Sequence, residues 1–290
     1  MLPYHKSTEY ASREEWLQAR TAGIGGSDAP AVLKQSTWAT PYSVWAEKRG
    51  LIKPEQIENQ RLLIGHVLEP AIAKLYELET GDETHDPGDF RIFEGEERFQ
   101  IATLDRMSDR VPIVELKTAG NSRDWKNGPP LNYQIQVQHQ MAVMEADRAV
   151  IACLFGSPTF HFAAFEIERN TRFITAMTKA ERAFWDMVQN EEAPEIDDSD
   201  VTRAALQRFP FEKGKAIDLP GDFGPLDIRR EKVKRLIQRL TRIQTGIENQ
   251  IKALMGDAEI GLLSGRPAFT WKGDSKGTRR FLSVLKGEVA

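Results

Sequence analysis

Only one cysteine occurs in the 290 residues, Cys153 within the apolar run AVIACLF. An intrachain disulfide is therefore excluded, the residue reads as a buried small side chain, and a cytosolic compartment follows. No apolar stretch is long enough to span a bilayer, and the polar, aromatic opening MLPYHKSTEYASREEW lacks the apolar segment of a secretion signal. Histidine is scarce too. His5, His66, His85, His139 and His161 show no zinc-site spacing, and with one cysteine a structural zinc is not expected; His139 reads as a satisfied surface residue. The segment GIGGSD lacks both the Lys-Ser/Thr of a phosphate loop and the third glycine of a dinucleotide fingerprint. Internal repeats and low-complexity tracts are absent. An excess of positive charge is missing as well: the formal net charge is −4, which argues against coating nucleic acid by bulk charge.

That sum hides a gradient. Glu181 to Asp200 carries eight acids and only Arg182, whereas Leu226 to Gly256 carries eight Lys/Arg against three acids. A positive surface can form locally, and local charge is what a polyanion meets.

With 40% hydrophobic residues, the chain can build one large core with an appendage. SREEWLQARTAG reads as a short helix with Ser12 as cap, Glu15 closing a capping box and Gly23 ending it. NQRLLIGHVLEPAIAKLYELETG is a longer helical pattern from Asn59 to Gly81, with Pro70 predicting a kink or break. DFRIFEG, ERFQIATLDRM and VPIVELKTA carry strand signals. LNYQIQVQHQMAVMEA follows as a helix with Pro130 near its first turn, then RAVIACLFG and FHFAAFEIE as strands joined at SPT, and a helix from Thr171 capped by Asn170. Val233, Leu236, Leu240, Ile243, Ile247 and Leu254 mark an amphipathic helix of about 28 residues. The tail FTWKGDSKGTRRFLSVLKG suggests a small hairpin. The fold class is α/β, a mixed α+β sheet with flanking helices. The expected division is a core over residues 1–195 and an extension over 196–290.

VPIVELKTAG places Glu115 and Lys117 two residues apart on what reads as a core strand. Strand side chains alternate, so these two share a face and Leu116 takes the other. Asp105 lies ten residues earlier, the spacing that neighbouring antiparallel strands would set beside Glu115. Two adjacent carboxylates resist joint ionisation unless a cation joins them, and a hard divalent ion suits carboxylate and carbonyl oxygens. On spacing alone, a salt-bridged ladder on a half-exposed strand accounts for the same residues. Gln134, Gln136, Gln138 and Gln140 alternate along the next helix, where only Gln136 and Gln140 can point together. Of Trp38, Trp45 and Trp125, at least two are expected in the core, with base stacking open to the remainder. The basic helix around Arg229 to Arg242 is either a solvated face or a surface for phosphates or a partner.

Six ordered blocks, ARTAGIGGSDAPAVL, PYSVWAEKRG, GHVLEPAIAKLYELETG, ATLDRM, VELKTA and NYQIQVQHQMAVM, resemble the YqaJ-like, lambda-exonuclease-type viral recombinases of the PD-(D/E)XK nuclease superfamily. The likeness covers roughly Arg20 to Asn190. It implies a PD-(D/E)XK core in which Glu69, Asp105, Glu115 and the Leu116 carbonyl hold metal and Lys117 positions and activates water. Gln136 matches the helical glutamine close to the active site. Arg20 and Ser27 match the positions that receive a 5′-phosphate, consistent with the anion affinity of a guanidinium and of a Gly-rich turn before a helix. The family's Ser/Thr-Pro-Asp-Gly-like block is Thr103-Leu104-Asp105-Arg106 here. The aspartate stays, the local turn is left open, and Thr103 is the candidate phosphate contact.

The resemblance implies a Mg²⁺-dependent 5′-to-3′ exonuclease on linear duplex DNA, with Mn²⁺ as a substitute. It would leave 3′ overhangs for a single-strand annealing protein in phage recombination. A homo-oligomer, in ring-shaped trimer form, and a phage- or prophage-encoded protein in the bacterial cytoplasm go with it. An endonuclease or repair nuclease on the same fold, and a DNA-end-binding module without turnover, stand as alternatives, because the Glu-x-Lys core does not encode end-dependence.

Overall fold

The computed structural model describes residues 6–53, 60–157, 159–221, 223–274 and 279–285. The chain divides into two units, 1–211 and 212–290. The first contains β1 (Ser7–Glu9), α1 (Arg13–Ala19), α2 (Ala29–Val32), α3 (Pro41–Lys48) and α4 (Gln60–Thr80). It continues through β2 (Thr84–His85), β3 (Arg91–Glu94), β4 (Ile101–Ala102), β5 (Met107–Ser108), β6 (Val114–Ala119) and α5 (Leu131–Val143). β7 (Arg148–Phe155), β8 (His161–Glu168), α6 (Thr171–Gln189) and α7 (Asp200–Gln207) complete it.

The order β6-β7-β8 defines the central sheet, with β6 parallel and β8 antiparallel to β7. Parallel neighbours need a crossover, and α5 supplies it between β6 and β7. This explains the unbroken apolar run in β7. Ala149, Ile151, Cys153 and Phe155 pack with Ile135 and Met141 of α5, while Val150 and Ala152 pack with Ile72, Ala73 and Tyr76 of α4. Both faces are covered, so neither can be polar. Burial also pushes the Cys153 thiol up to about 12, which leaves it an inert core residue.

Ser12 caps α1 through the Glu15 N–H, and Asn170 caps α6 through the Phe173 N–H. α4 continues through Pro70 without a break, so of the expected kink or break the break does not occur; Ile72, Ala73 and Tyr76 beyond it pack against β6 and β7. Asn59 and Pro158 of the SPT turn lie outside the described residues. The two units part at Phe211, beyond the expected 195. α7 falls between those positions and belongs to the first unit, since Thr202 hydrogen-bonds Thr40 (2.8 Å) and Ala205 is buried against α3 and α6.

His139 is fully buried, not at the surface. Its Nδ1 meets Glu181 Oε1 at 2.7 Å and its Nε2 meets the Ile101 carbonyl at 3.0 Å. The Ile101 carbonyl can only accept, so Nε2 carries a proton, and an ionised Glu181 accepts from a protonated Nδ1. Burial alone would lower the His139 pKa; the Glu181 carboxylate and the hydrogen bonds outweigh it and raise it. Gln100 donates to the other Glu181 oxygen at 2.6 Å. The network joins α5, α6 and β4 in the interior.

The second unit holds α8 (Phe223–Met255) and an antiparallel meander of β9 (Ile260–Leu263), β10 (Arg266–Gly273) and β11 (Arg280–Val284). The expected hairpin is β10–β11, and β9 adds a third strand. Ser264 and Gly265, both at positive φ (50° and 78°), make the two-residue turn that joins β9 to β10. Arg280 donates to the Gly256 carbonyl (2.8 Å) and lies over the Trp271 ring (3.8 Å), tying the end of α8 to this sheet.

Replacing one member of a buried ion pair strands the other. Glu181→Ala is therefore expected to cost about 3–5 kcal/mol in urea denaturation of the full chain, and a loss below about 1 kcal/mol would refute a buried imidazolium–carboxylate pair.

Candidate active site

Alternation along β6 sends Val114 and Leu116 to the α4 side, so Glu115 and Lys117 face α5. Arg106 and Val114 exchange both backbone hydrogen bonds as an antiparallel bridge (3.2 and 3.0 Å). Asp105 is thereby set beside Glu115, as the ten-residue spacing anticipated, and Asp105 Oδ2 accepts the Leu116 N–H at 2.8 Å.

Glu115 is 2% exposed. Lys117 Nζ and Gln136 Nε2 donate to its Oε1 at 2.5 and 2.6 Å, and Gln140 Nε2 donates to its Oε2 at 2.7 Å. Gln136 and Gln140 stand one helical turn apart on α5 and act as a pair, as the helix periodicity allowed. Gln140 was not among the expected site residues; its i+4 relation to Gln136 was the available signal. The other two glutamines serve the scaffold: Gln138 bonds the Glu168 carbonyl and the Asn170 N–H, and Gln134 bonds the Pro129 carbonyl.

Burial, reinforced by the Glu115 charge and by that of Glu69, pushes Asp105 up to about 8, against the opposing pull of Lys117 and the Leu116 N–H. Burial by itself would lower the Lys117 pKa; Glu115, Asp105 and the hydrogen bond to Glu115 prevail and raise it. Lys117 is thus a firmly held ammonium, with the Tyr133 ring 5.3 Å away.

Glu69 comes near this pair, since its charge is among those that raise Asp105. It lies on α4, hydrogen-bonded to His66 Nδ1 at 3.0 Å. Among the described residues no group of three or more His, Cys, Asp or Glu is assembled as a cation site. The donor set nevertheless fits a hard cation. Asp105 and Glu115 are close enough to oppose joint ionisation, which a divalent ion relieves, and the buried Gln140 Oε1 has no hydrogen-bond partner.

The Gly-rich turn arrives at the same place. Ile24 pairs with Gln100 in a parallel bridge. An added Cβ on Gly23 would stand 2.9 Å from the Phe99 carbonyl oxygen, and one on Gly26 would stand 3.3 Å from both Gln136 and Gln140. Close approach, not turn conformation, demands these glycines. Next to them Arg20 donates to Ser27 Oγ at 3.0 Å and lies over Trp16 at 4.8 Å. Asp28 braces the turn through Lys48 (2.6 Å) and the Gly25 N–H (2.9 Å). Burial would raise the Asp28 pKa, but Lys48 and Arg20 together hold it below the ordinary value. Arg20 and Ser27 are therefore brought together. Thr103 is half-buried, and its carbonyl accepts from Gln140 at 3.2 Å. Trp45 and Trp125 are core residues, and Trp38 is 73% exposed.

The YqaJ-like viral recombinase domain model matches residues 15–147. A Bacillus subtilis (strain 168) protein, the uncharacterised YqaJ, is 33% identical over 276 residues, spanning 90% of this chain and 83% of its own. Among solved structures, the alkaline exonuclease LHK-Exo from Laribacter hongkongensis is similar with a TM-score of 0.53 and 21% identity, over 62% of this chain and 94% of that one. The same values hold for LHK-Exo in complex with dAMP. The fold is thus of the phage-type alkaline exonuclease kind. No helix among the described residues is long and apolar enough to cross a membrane.

In the metal-free protein Asp105 keeps a proton up to about pH 8, whereas the unfolded chain releases it near ~4. The folded state binds more protons between those values, so this group's stabilisation is full below ~4 and is lost as pH rises toward about 8. Mg²⁺ or Mn²⁺ competes with that proton. The ion is expected to raise the melting temperature more at about pH 8 than at about pH 6, with the increment lost in Asp105→Asn. Equal increments at both pH values, read by scanning fluorimetry, would sink this account.

Proposed function

The chain belongs to the YqaJ-like viral recombinase family, and on that premise we propose that it is a Mg²⁺-dependent 5′-to-3′ exonuclease of linear duplex DNA. One observation carries the reading: Asp105, Glu115 and Lys117 converge on one buried spot at the end of a parallel strand pair, with two glutamines holding the central acid. The products are mononucleotides and a 3′ single strand, the substrate of an annealing partner.

Glu69, Asp105, Glu115 and the Leu116 carbonyl are the groups that would hold the ions. Divalent cations supply the charge neutralisation and Lewis acidity that phosphodiester hydrolysis needs near neutral pH. The remaining work falls to the chain's own side chains. Gln136 and Gln140 fix the Glu115 carboxylate by one hydrogen bond to each oxygen, so its orientation costs no reorganisation during reaction. Lys117 brings a fixed ammonium to the point where negative charge develops on the phosphate oxygens. Arg20 and Ser27 offer a charged fork and a hydroxyl, the chemistry that fits a terminal 5′-phosphate. Gly26 lets that pair approach the glutamine helix, and Gly23 lets the same turn lie against Phe99 and Ile101.

Linear and closed-circular duplexes incubated with Mg²⁺ separate the readings. Degradation of linear DNA alone, faster with a 5′-phosphate, is expected; nicking of circles indicates an endonuclease, and end binding without cleavage defeats both. Lys117→Ala is expected to lower cleavage by at least ~100-fold while leaving DNA binding nearly intact in a gel-shift assay. Turnover near that of the parent chain would remove Lys117 from the mechanism.

A further inference from the structure

The helix α8 spans 33 residues, none of them buried. Counted in sevens, Leu226, Val233, Leu240, Ile247 and Leu254 recur without interruption, and each is roughly half exposed or more. Leu236 and Ile243 fall three residues after Val233 and Leu240, completing the alternation of three and four that marks a coiled-coil seam. The two remaining positions of that kind, Arg229 and Gln250, are polar and lie one step inside the seam's two ends. A strict seven-residue period drifts about 20° per heptad on a straight helix, so it stays on one face only where the helix supercoils around another. Gly246 in the interior weakens the helix as an isolated object, and packing of an apolar face is what ordinarily sustains a helix.

The area suits a stable partner. The seven seam residues with Ile237 expose roughly 800 Å² of apolar surface, close to the ~800 Å² that each side of a standard interface covers. Charge along the edges selects which partner. The positions flanking the seam are Arg230, Lys232, Ile237 and Arg239 before Leu240, and Gln244, Gly246, Ile251 and Ala253 after it. Asp227 and Glu231 pair with Arg230, and Glu248 with Lys252, within the helix itself. A parallel copy would bring the two predominantly basic halves, 226–240, together. An antiparallel copy sets each basic half against an uncharged half, and does so twice over by two-fold symmetry.

We propose that α8 is a pairing element, forming a two-stranded antiparallel coiled coil with α8 of a second copy of this chain. This stands independently of the nuclease reading. Light scattering of the full chain in the micromolar range reads it directly. The parent chain is expected to associate, and Leu236→Asp with Ile243→Asp to halve the mass, raising the dissociation constant at least 100-fold. Thr241→Asp with Thr245→Asp adds the same charge away from the seam and is expected to keep the parental mass. Because Cys153 is buried, introduced thiols report orientation: chains bearing Lys232→Cys mixed with chains bearing Ala253→Cys are expected to cross-link on oxidation. A monomeric parent chain overturns the proposal, including one whose α8 amides gain exchange protection only when a different protein is added. So does an assembly whose mass the seam charges leave unchanged, and an associated chain in which the mixed thiols do not join overturns the antiparallel pairing.

Discussion

Everything in the first unit answers to one awkward charge, the Glu115 carboxylate, which is almost out of water beside a second carboxylate. An isolated buried carboxylate is prohibitively costly, so it must be met by donors on every side. Lys117 provides charge from the same strand, and Gln136 and Gln140 provide N–H groups from the helix above it. Asp105 takes up the strain by retaining a proton in the absence of metal. The site is therefore electrostatically strained, with two carboxylates side by side and one ammonium to offset them.

The scaffold serves that requirement by rigidity. β6 is fixed between a parallel neighbour and the antiparallel Arg106–Val114 bridge, so neither Glu115 nor Asp105 can slide without reversing a face. α5 carries the glutamines, and it is anchored from behind by His139 on Glu181 and at its end by Arg169, which donates to the Met141 and Ala146 carbonyls. The scaffold part of this network is fully paired, His139 on Glu181 and the Ile101 carbonyl and Glu181 on Gln100; the unpaired buried atom, Gln140 Oε1, lies at the site itself. Precise donors on rigid elements are what a catalytic carboxylate needs. The Gly23–Gly26 turn then docks against the same helix, which places the Arg20–Ser27 pair and the acidic pair on one scaffold.

Sequence legibility followed the range of the forces involved. Caps at Ser12 and Asn170, the strands β6 to β8, and the pairing of Gln136 with Gln140 are local, and the pattern of residues revealed them. The Asp105–Glu115 neighbourhood was legible too, because one short turn converts spacing into register. His139 was misread as solvated because its partner Glu181 is 42 positions away in sequence, and neither residue advertises the other. The division of the chain shifted to Phe211 for a similar reason: α7 holds to α3 by Thr202 on Thr40, a contact across 162 positions. Pro70 shows the converse, since tertiary packing keeps the helix unbroken where local propensity alone allows a break.

By itself, then, the amino-acid order determined the elements, the strand carrying Glu115 and Lys117, the nearby Asp105, and the ordered blocks that mark the family. It also contained the seven-residue register of α8, since periodicity is a property of the chain alone. The tertiary structure decided which face of β6 meets α5, that Gln140 joins Gln136 on Glu115, that Arg20 reaches Ser27, and that Glu69 hydrogen-bonds His66. Those outcomes depend on burial and on contacts between distant segments, where the cost of an unpaired charge is set by neighbours that only folding supplies.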